Sequence, residues 1–548
     1  MNRICFLLLF ILSITVTSCD FRQKADLIIK NAKIYTVDKN FTVVQGLAVM
    51  DGKFVAIGPD ATINAQFYSE NVLDLKGKYI YPGFIDAHCH FYGYSETLSQ
   101  VNLQEAKSFT EVVERAKKHH REYNSAWVTG RGWDQNLWQP KDFPTNQLLN
   151  EAFPDTPVLL RRIDGHAAIA NQVALKIAGI NESTQVKGGK ILLKDGKPTG
   201  LLIDNAVDLV LPFIPKPTQQ ELIAGLLKAQ QNCFSVGLTS VGDAGLEKPE
   251  ILLIDSLQKQ QQLTLRIYAM LNSNTENLDY FLKNGFYQTP YLNIRSLKLY
   301  ADGALGSRGA CLLKPYSDDP TNSGLLLQNA DSLTALCQLA YEYNYQVNTH
   351  CIGDSANRLM LSIYGSILKG KNDYRWRIEH GQVVNPSDLK TFKQFSVIPS
   401  IQTTHCTSDM AWAEARLGIE RVQHAYSWQD LLKQNDWLIN GSDFPIEDIN
   451  PLFGFYAAVT RMDQEGMPVS GYFPKQQLSR MQALKAMTIW AAMGQFEENE
   501  KGSIEKSKMA DFVVLSQDLL SAPAKDLYKI KIEQTYLGGR KVYDLFGN

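Results

Sequence analysis

The two ends of the chain carry short apolar or alternating runs separated by turn residues, a pattern typical of strands in a small sheet. Asp51-Gly52 separates two such runs and predicts a two-residue hairpin turn. Further runs of this kind are residues 27–29, 32–36, 46–49, 510–515, 532–537 and 541–543. The pattern predicts one small β domain built from residues 24–82 and 497–548, with two independent β extensions as the alternative.

The middle of the chain, residues 83–496, alternates apolar runs with longer helical stretches, which is the order of strands and crossover helices in an α/β fold. The apolar runs include residues 156–161, 237–241, 297–300, 346–349, 376–379 and 437–440. Helices are predicted over residues 219–233 and 332–343. Because no glycine-rich phosphate loop opens a helix, a barrel is favoured over an open doubly wound sheet.

Residues 1–18 have the pattern of a secretory signal peptide. Arg3 is followed by an apolar run over residues 4–14, which is shorter than the roughly 20 residues of a membrane span. A buried helix is the alternative. Val16-Thr17-Ser18-Cys19 resembles a bacterial lipobox, which implies cleavage before Cys19 and lipidation of its thiol. We therefore expect an exported protein that is lipid-anchored to a bacterial membrane, on its periplasmic or outer-membrane face.

Composition narrows the class of partner. The 548 residues are 45% hydrophobic and carry a net charge of −2, so no basic field for nucleic acid exists. We expect a small-molecule substrate, with membrane contact only through the lipid anchor. The eight cysteines form no CxxC pair, which argues against a disulfide framework or a structural zinc knuckle.

Two histidines near the start of the middle region are the first candidates for chemistry. Successive side chains of a strand alternate between its faces, so Asp86, His88 and His90 point the same way. Two imidazoles at one strand end can chelate a divalent ion. The alternative is a pair of polar residues at a strand end without a metal.

Other polar residues also stand where predicted buried strands give way to loops. His350 and His380 each end an apolar run, and Asp443 follows another. The carboxyl ends of barrel strands form the face that carries active sites. These positions strengthen the prediction of a metal site.

At this point the chain resembles the amidohydrolase superfamily, and within it the "amidohydrolase 3" (YtcJ-like) branch. Seven segments carry the resemblance in order: Gly83-Phe84-Ile85-Asp86-Ala87-His88-Cys89-His90, Asp164-Gly165-His166-Ala167, Pro198-Thr199-Gly200-Leu201, Ala301-Asp302-Gly303-Ala304-Leu305-Gly306-Ser307-Arg308, His350-Cys351-Ile352-Gly353-Asp354, Ile378-Glu379-His380-Gly381-Gln382 and Gly441-Ser442-Asp443-Phe444-Pro445. The resemblance implies a (β/α)₈ TIM-type barrel with a composite β-sandwich from both chain ends.

The resemblance also implies a metal centre with one or two divalent ions. Its ligands would be His88 and His90 after strand 1, His350 and His380 after strands 5 and 6, and Asp443 after strand 8. Imidazoles with carboxylates suit Zn²⁺, with Mn²⁺, Fe²⁺ and Co²⁺ as alternatives.

Lys298 matches a position where some family members carry a lysine that carbon dioxide carboxylates, so that it bridges two metals. A carbamate is an anionic ligand, whereas a free ammonium beside divalent cations is costly. The alternatives are an ion pair with Asp302, or a structural lysine without metal contact.

The expected ligands define a hydrolytic mechanism. A metal lowers the pKa of bound water from about 15.7 toward 7 and polarises the scissile carbonyl. Asp443 would take a proton from the resulting hydroxide and return it to the leaving nitrogen, unless it is only a structural ligand. His166 matches a family position that lines the pocket and would donate to the carbonyl oxygen. A packed core histidine is the alternative for His166.

Two more residues are expected to contact substrate. His405 follows another predicted strand, and Arg308 could bind an anionic group unless it makes an ion pair within the barrel. Cys89 and Cys351 adjoin predicted ligands, but alternation turns both away from the metal.

The leading hypothesis is hydrolysis of a non-peptide carbon–nitrogen bond in a small amide, an N-acyl or N-formyl compound, or a cyclic amide. The alternatives are a metallohydrolase of esters or lactones, a lipoprotein that binds ligand on the barrel without turnover, and a metal-independent lyase or isomerase.

Overall fold

The computed structural model of the chain describes residues 22–547 except residues 99, 124, 164–166 and 187–188. Its centre is a barrel of eight parallel strands, which confirms the predicted α/β barrel. The barrel strands are β1 Phe84–Cys89, β2 Leu238–Leu246, β3 Arg266–Asn272, β4 Leu292–Tyr300, β5 Gln346–Cys351, β6 Arg377–His380, β7 Ile398–Gln402 and β8 Ile439–Gly441. A short strand, Tyr287–Gln288, pairs antiparallel with β4.

The barrel closes between β8 and β1. The amide of Asp443 donates to the carbonyl of His88 (2.8 Å), and the amide of His90 donates to the carbonyl of Phe444 (2.8 Å). Gly441 permits this close approach, since a Cβ there would lie 2.4 Å from the backbone nitrogen of His88. The sequence thus brings the ends of the first and last strands together at one face.

Helices surround the barrel. They are Phe91–Thr97, Gln219–Ser235, Lys248–Lys259, Thr275–Asn277 with the π-helical turn Leu278–Leu282, Ala330–Glu342, Asp354–Leu368, Leu389–Gln394, Thr403–Asp409, Ala413–Arg421, Trp428–Asn435, Pro451–Thr460, Arg480–Ala486 and Ile489–Gly494. The predicted helices over 219–233 and 332–343 are confirmed. Thr218 and Glu221 start the first of them with reciprocal side chain-to-backbone hydrogen bonds, a capping box.

Both chain ends contribute to a β-sandwich. One sheet contains Lys53–Gly58, Gly46–Met50, Leu27–Lys30 and Val72–Asp74; the other contains Arg540–Asp544, Ile532–Leu537, Phe512–Leu515, Tyr79–Pro82, Lys33–Tyr35 and Val43–Val44. Gln23–Lys24 pairs with Phe67–Tyr68, and helix Asp60–Gln66 lies nearby in sequence. The predicted hairpin is confirmed: Asp51 and Gly52 have φ angles of 52° and 74°, as its tight turn requires.

A third region lies between β1 and the helix Gln219–Ser235. Its sheet consists of Val101–Asn102, Val128–Trp133, Val158–Arg162, Ala167–Ala170, Lys197–Asp204 and Gly189–Lys194, with helices Phe109–Tyr123, Gln147–Ala152 and Gln172–Ile177. The run over residues 156–161 therefore contributes to this sheet and not to the barrel, which corrects its interpretation. Val158–Arg162 pairs antiparallel with Ala167–Ala170, and a short apolar run carries no signal for which sheet will bury it.

Within the described part of the chain, no helix is long and apolar enough to cross a membrane. Cys19 and residues 1–18 lie outside the described residues, so the lipid anchor stays a prediction.

Candidate metal centre

Seven polar side chains with metal-binding potential stand at the carboxyl ends of the barrel strands. They are His88 in β1, His90 directly after it, Lys298 in β4, His350 in β5, His380 at the end of β6, His405 in the helix after β7, and Asp443 after β8. Alternation within buried strands directs the ligand atoms of β1, β4 and β5 into the barrel. The cysteines beside them, Cys89 and Cys351, lie in the apolar core as predicted.

Asp443 is at the centre of the cluster. Its Oδ1 lies 3.1 Å from His90 Nε2 and 3.5 Å from His88 Nε2, and its Oδ2 lies 3.2 Å from His405 Nε2. Asp443 has a left-handed φ of 64°, which turns the chain sharply after β8. Two ligand atoms of a tetrahedral zinc site with bonds of 2.0–2.1 Å lie about 3.3 Å apart, so these separations suit donors that share a cation.

Three of the imidazoles contact a hydrogen-bond acceptor through Nδ1, while their Nε2 faces Asp443. His88 Nδ1 contacts Glu379 Oε2 (2.6 Å), and His90 Nδ1 contacts the carbonyl oxygen of Ala244 (3.0 Å). His405 Nδ1 contacts Glu447 Oε1 (2.9 Å). An acceptor at Nδ1 fixes a proton there and leaves the lone pair of Nε2 for a metal. This is the arrangement around metal-ligating histidines.

His350 and His380 present buried ring nitrogens without hydrogen-bond partners among the described residues: Nε2 of His350 and Nδ1 of His380. The two rings meet edge to face with centroids 4.5 Å apart. Buried polar atoms are normally paired, so these two nitrogens are available to coordinate a metal.

Lys298 completes the cluster from β4. Its side chain is 1% exposed, and its Nζ lies 3.2 Å from His88 Nε2. The anticipated ion pair with Asp302 does not form. Asp302 instead accepts hydrogen bonds from the backbone amides of Cys311, Ile352 and Gly353.

The electrostatics favour neutral rings at His350 and His380 beside an ionised Asp443. Burial opposes the charged form of His405 and His90, but hydrogen bonds with Asp443, and with Glu447 at His405, outweigh it and raise the pKa of both rings. Burial, reinforced by Lys298, lowers the pKa of His350 to about 3, and burial holds the pKa of His380 well below its usual range. Burial opposes ionisation of Asp443, but hydrogen bonds with His405 and His90 outweigh it and hold its pKa far below the ordinary value. Neutral imidazoles and a carboxylate are the forms that bind a metal. The residues present therefore fit a divalent cation.

Glu379 contacts the predicted ligand His88, and sequence reasoning did not single it out. It is fully buried, and burial opposes its ionisation, but the charge and hydrogen bond of His88 lower its pKa to about 2. Arg377 approaches its other oxygen at 3.6 Å. Strand alternation would turn Glu379 away from the face of His380. The φ of 71° at His380 ends the extended conformation, so both side chains reach the centre.

Asp86 and Glu447 were also missed as supporting residues. Asp86 shares the face of His88 and accepts hydrogen bonds from the hydroxyl of Ser442 (2.6 Å) and the amide of His88 (3.1 Å), which anchors the barrel seam. Its position two residues before His88 is the signal that could have identified it. Glu447 lies on a loop, where no periodicity relates it to His405.

Arg308 and His166 are the two other residues predicted to contact the substrate. Arg308 makes a bidentate ion pair with Asp318, from its Nε (3.0 Å) and from a terminal nitrogen (2.9 Å), which is the alternative anticipated for it. His166 lies outside the described residues, so its role stays a prediction.

Comparison with known proteins gives a consistent picture. A model of the amidohydrolase family matches residues 71–543. Protein LONG AFTER FAR-RED 3 from Arabidopsis thaliana is 32% identical over 541 residues, which cover 95% of this chain and 92% of that protein. Putative amidohydrolase YtcJ from Bacillus subtilis (strain 168) is 30% identical over 526 residues, which cover 93% of this chain and 98% of that protein.

N-substituted formamide deformylase from Arthrobacter pascens is 24% identical over 551 residues, which cover 96% of this chain and 100% of that protein. Among solved structures, an uncharacterized metal-dependent hydrolase from Pyrococcus horikoshii OT3 superposes with a TM-score of 0.77 at 28% identity. The matched region covers 91% of this chain and 99% of that chain.

Proposed function

The chain belongs to the amidohydrolase family, and we propose that it is a metal-dependent hydrolase of a non-peptide carbon–nitrogen bond. The substrate would be a small amide, an N-acyl or N-formyl compound, or a cyclic amide. The observation that carries the proposal is the carboxylate of Asp443, which lies within 3.5 Å of His88, His90 and His405 at the carboxyl face of the barrel. The similarity to a formamide deformylase supports carbon–nitrogen bonds as the target.

The metal would be held by His88, His90 and Asp443, with His350 and His380 beside them. Imidazole nitrogens with a carboxylate oxygen suit Zn²⁺. When bound, such an ion lowers the pKa of a water molecule and polarises a carbonyl group.

Lys298 would be carboxylated by carbon dioxide in this proposal. Its Nζ is buried and forms no ion pair with a carboxylate among the described residues. An anionic carbamate would replace a buried ammonium group by a ligand that suits divalent cations.

In this proposal Asp443 moves the proton. Hydrogen bonds with His405 and His90 lower its pKa, so its carboxylate is ionised at neutral pH and would be free of a proton when the attacking water gives one up. It would then return that proton to the nitrogen that leaves. The contacts on both of its oxygens fix the orientation of the carboxylate during this transfer.

Metal analysis of the purified full-length chain, coupled to a hydrolysis screen, tests the proposal. The screen would contain N-acyl amino acids, formamides and cyclic amides, with an ester and a lactone for comparison. We expect hydrolysis of at least one carbon–nitrogen compound, loss of activity on chelation, and recovery on addition of Zn²⁺. Activity that survives complete metal removal would contradict the metal centre. Hydrolysis confined to the ester or lactone would contradict the assigned bond.

A further inference from the structure

We propose that the buried guanidinium group of Arg461 binds a small inorganic anion, chloride under physiological conditions. Arg461 directly follows the helix Pro451–Thr460, and it is 0% exposed. A guanidinium group keeps its positive charge in proteins, so burial does not remove that charge by loss of a proton. The inference concerns a site outside the candidate metal centre and does not rest on the proposed function.

Arg461 differs from the two other buried arginines of the described chain because it faces no carboxylate. Arg266 forms a bidentate ion pair with Asp511, at 2.6 and 2.9 Å, and Arg377 approaches Glu379 at 3.6 Å. No Asp or Glu of the described residues is among the ionisable groups whose charge acts on Arg461. A buried charge without an opposite charge is strongly unfavourable, which indicates that an ion from solution neutralises Arg461.

The contacts of Arg461 orient its guanidinium group without neutralising it. Its Nε donates to the carbonyl of Tyr472, and its Nη1 donates to the carbonyl of Tyr426 at 3.0 Å. The ring of Trp428 lies against the group, with its centroid 4.2 Å from the guanidinium carbon. The remaining nitrogen, Nη2, is buried and has no hydrogen-bond partner among the described residues. Since carbonyl groups and an aromatic face carry no full negative charge, Nη2 is left to bind an anion.

Tyr472 supplies a second group that suits an anion. Its hydroxyl is buried, has no hydrogen-bond partner among the described residues, and is near enough for its charge to act on Arg461. Burial raises the pKa of this hydroxyl to about 12, so it keeps its proton and remains a donor. Because both donor groups are buried, a compact ion is favoured over an organic acid. Chloride matches the single charge of the guanidinium group, whereas a doubly charged phosphate would exceed it.

Cys406 locates the site in the fold. Its buried thiol is a further neighbour of Arg461 and belongs to the helix Thr403–Asp409, which follows β7. The hydroxyl of Thr403 donates to the carbonyl of Gly454 at 2.7 Å, so this helix packs on the one that precedes Arg461. An anion at Arg461 would therefore join the segments after β7 and β8, and its binding should stabilise the folded chain.

Chloride binding to the metal-loaded, full-length chain tests the inference. We expect excess broadening of the chloride NMR signal that bromide competes away, and a melting temperature that rises with chloride at constant ionic strength and then levels off. Arg461→Met removes the charge and should weaken chloride affinity at least about 10-fold. Arg358→Met is the matched control, because exposed Arg358 is paired with Asp388 and its loss should leave chloride binding unchanged. Chloride bound to the metal would give the same signal in all these proteins.

The inference is overturned if wild type shows no chloride response, or if Arg461→Met keeps the response of wild type. Anomalous scattering from bromide at Arg461 in crystals, without a chloride response in solution, would mean an adventitious ion only. If Arg461→Met does not fold, Arg461→Lys decides the matter. It keeps the charge but loses the planar fork, so chloride should bind more weakly, and an unchanged affinity would place the ion elsewhere. None of these measurements depends on hydrolysis, so the proposed function stands or fails separately.

Discussion

Two buried aspartates, Asp443 in the barrel and Asp518 beside the β-sandwich, differ in how completely their surroundings are paired. Asp518 is 3% exposed and accepts hydrogen bonds from the hydroxyls of Tyr35 (2.7 Å) and Tyr81 (2.6 Å). The ammonium group of Lys33 donates to the same oxygen as Tyr35, at 2.8 Å. Both oxygens of the Asp518 carboxylate therefore accept hydrogen bonds from groups of the chain itself.

By comparison, the buried groups around Asp443 are incompletely hydrogen-bonded. The nearby rings of His350 and His380 each keep one buried nitrogen without a partner in the described part of the chain. A closed network stabilises a fold, whereas unpaired ring nitrogens gathered around a buried carboxylate are available to a ligand. The difference separates structural from functional charge more clearly than burial does, because both carboxylates are almost inaccessible.

Replacing the two aspartates separately should give the largest contrast. Asp443→Asn keeps the shape of the side chain but removes the proton acceptor, so we expect kcat to fall about 100- to 10,000-fold. Metal content should be largely retained, since His88 and His90 remain. Asp518→Asn should leave kcat within about twofold at a temperature where the variant is folded. Steady-state kinetics and metal analysis of both variants provide the measurement.

Survival of turnover in Asp443→Asn would remove the proton-transfer assignment. An equal loss of kcat in Asp518→Asn would mean that the two clusters are not functionally distinct.

The sequence predicts much of the barrel because parallel strands buried on both faces are apolar runs of recognisable length. Five of the six apolar runs named for residues 83–496 lie in barrel strands, including those followed by His350 and His380. The run now seen in Val158–Arg162 belongs to the inserted sheet, since periodicity reports burial and not the identity of the partner strand.

The candidate site was predictable where ligands stand at strand ends, as with His88 and His90. Glu379 was not, because its approach to His88 depends on the left-handed turn at His380, which no local pattern encodes. Glu447 reaches His405 from a loop, and loop conformations leave no periodic signal. The residues that hydrogen-bond to the predicted ligands are therefore the part of the site that the sequence does not reveal.

Glu379, one of these supporting residues, offers a smaller test of the comparison between Asp443 and Asp518. Glu379→Gln keeps the volume of the side chain but removes the charge that orients His88, so we expect Zn²⁺ affinity to fall about 10- to 100-fold. Glu497→Gln is the control, since Glu497 is also buried and ion-paired, in its case with Lys501 at 2.6 Å. Competition with a chromophoric chelator measures both affinities. An unchanged affinity in folded Glu379→Gln would make Glu379 a structural residue like Asp518.

The closed network should show itself in stability rather than in chemistry. Asp518→Asn removes a charged acceptor from two tyrosines and Lys33, and we expect a loss of about 2 kcal/mol in the free energy of unfolding. Denaturant titrations at neutral pH measure this loss. A variant as stable as wild type would show that the network adds nothing beyond what neutral groups provide.

The same network predicts how that difference varies with pH. Burial opposes ionisation of Asp518, but hydrogen bonds from Lys33, Tyr81 and Tyr35 outweigh it and place its pKa in the folded chain below the ordinary value of 3.8. A lowered pKa gives stability that is fully present above the unfolded value and is lost as pH falls through the folded one. The gap in melting temperature between wild type and Asp518→Asn should therefore stay constant from pH 7 to about pH 5 and shrink below about pH 4. A gap that widens on acidification would reverse the sign and mean that Asp518 is protonated in the folded chain.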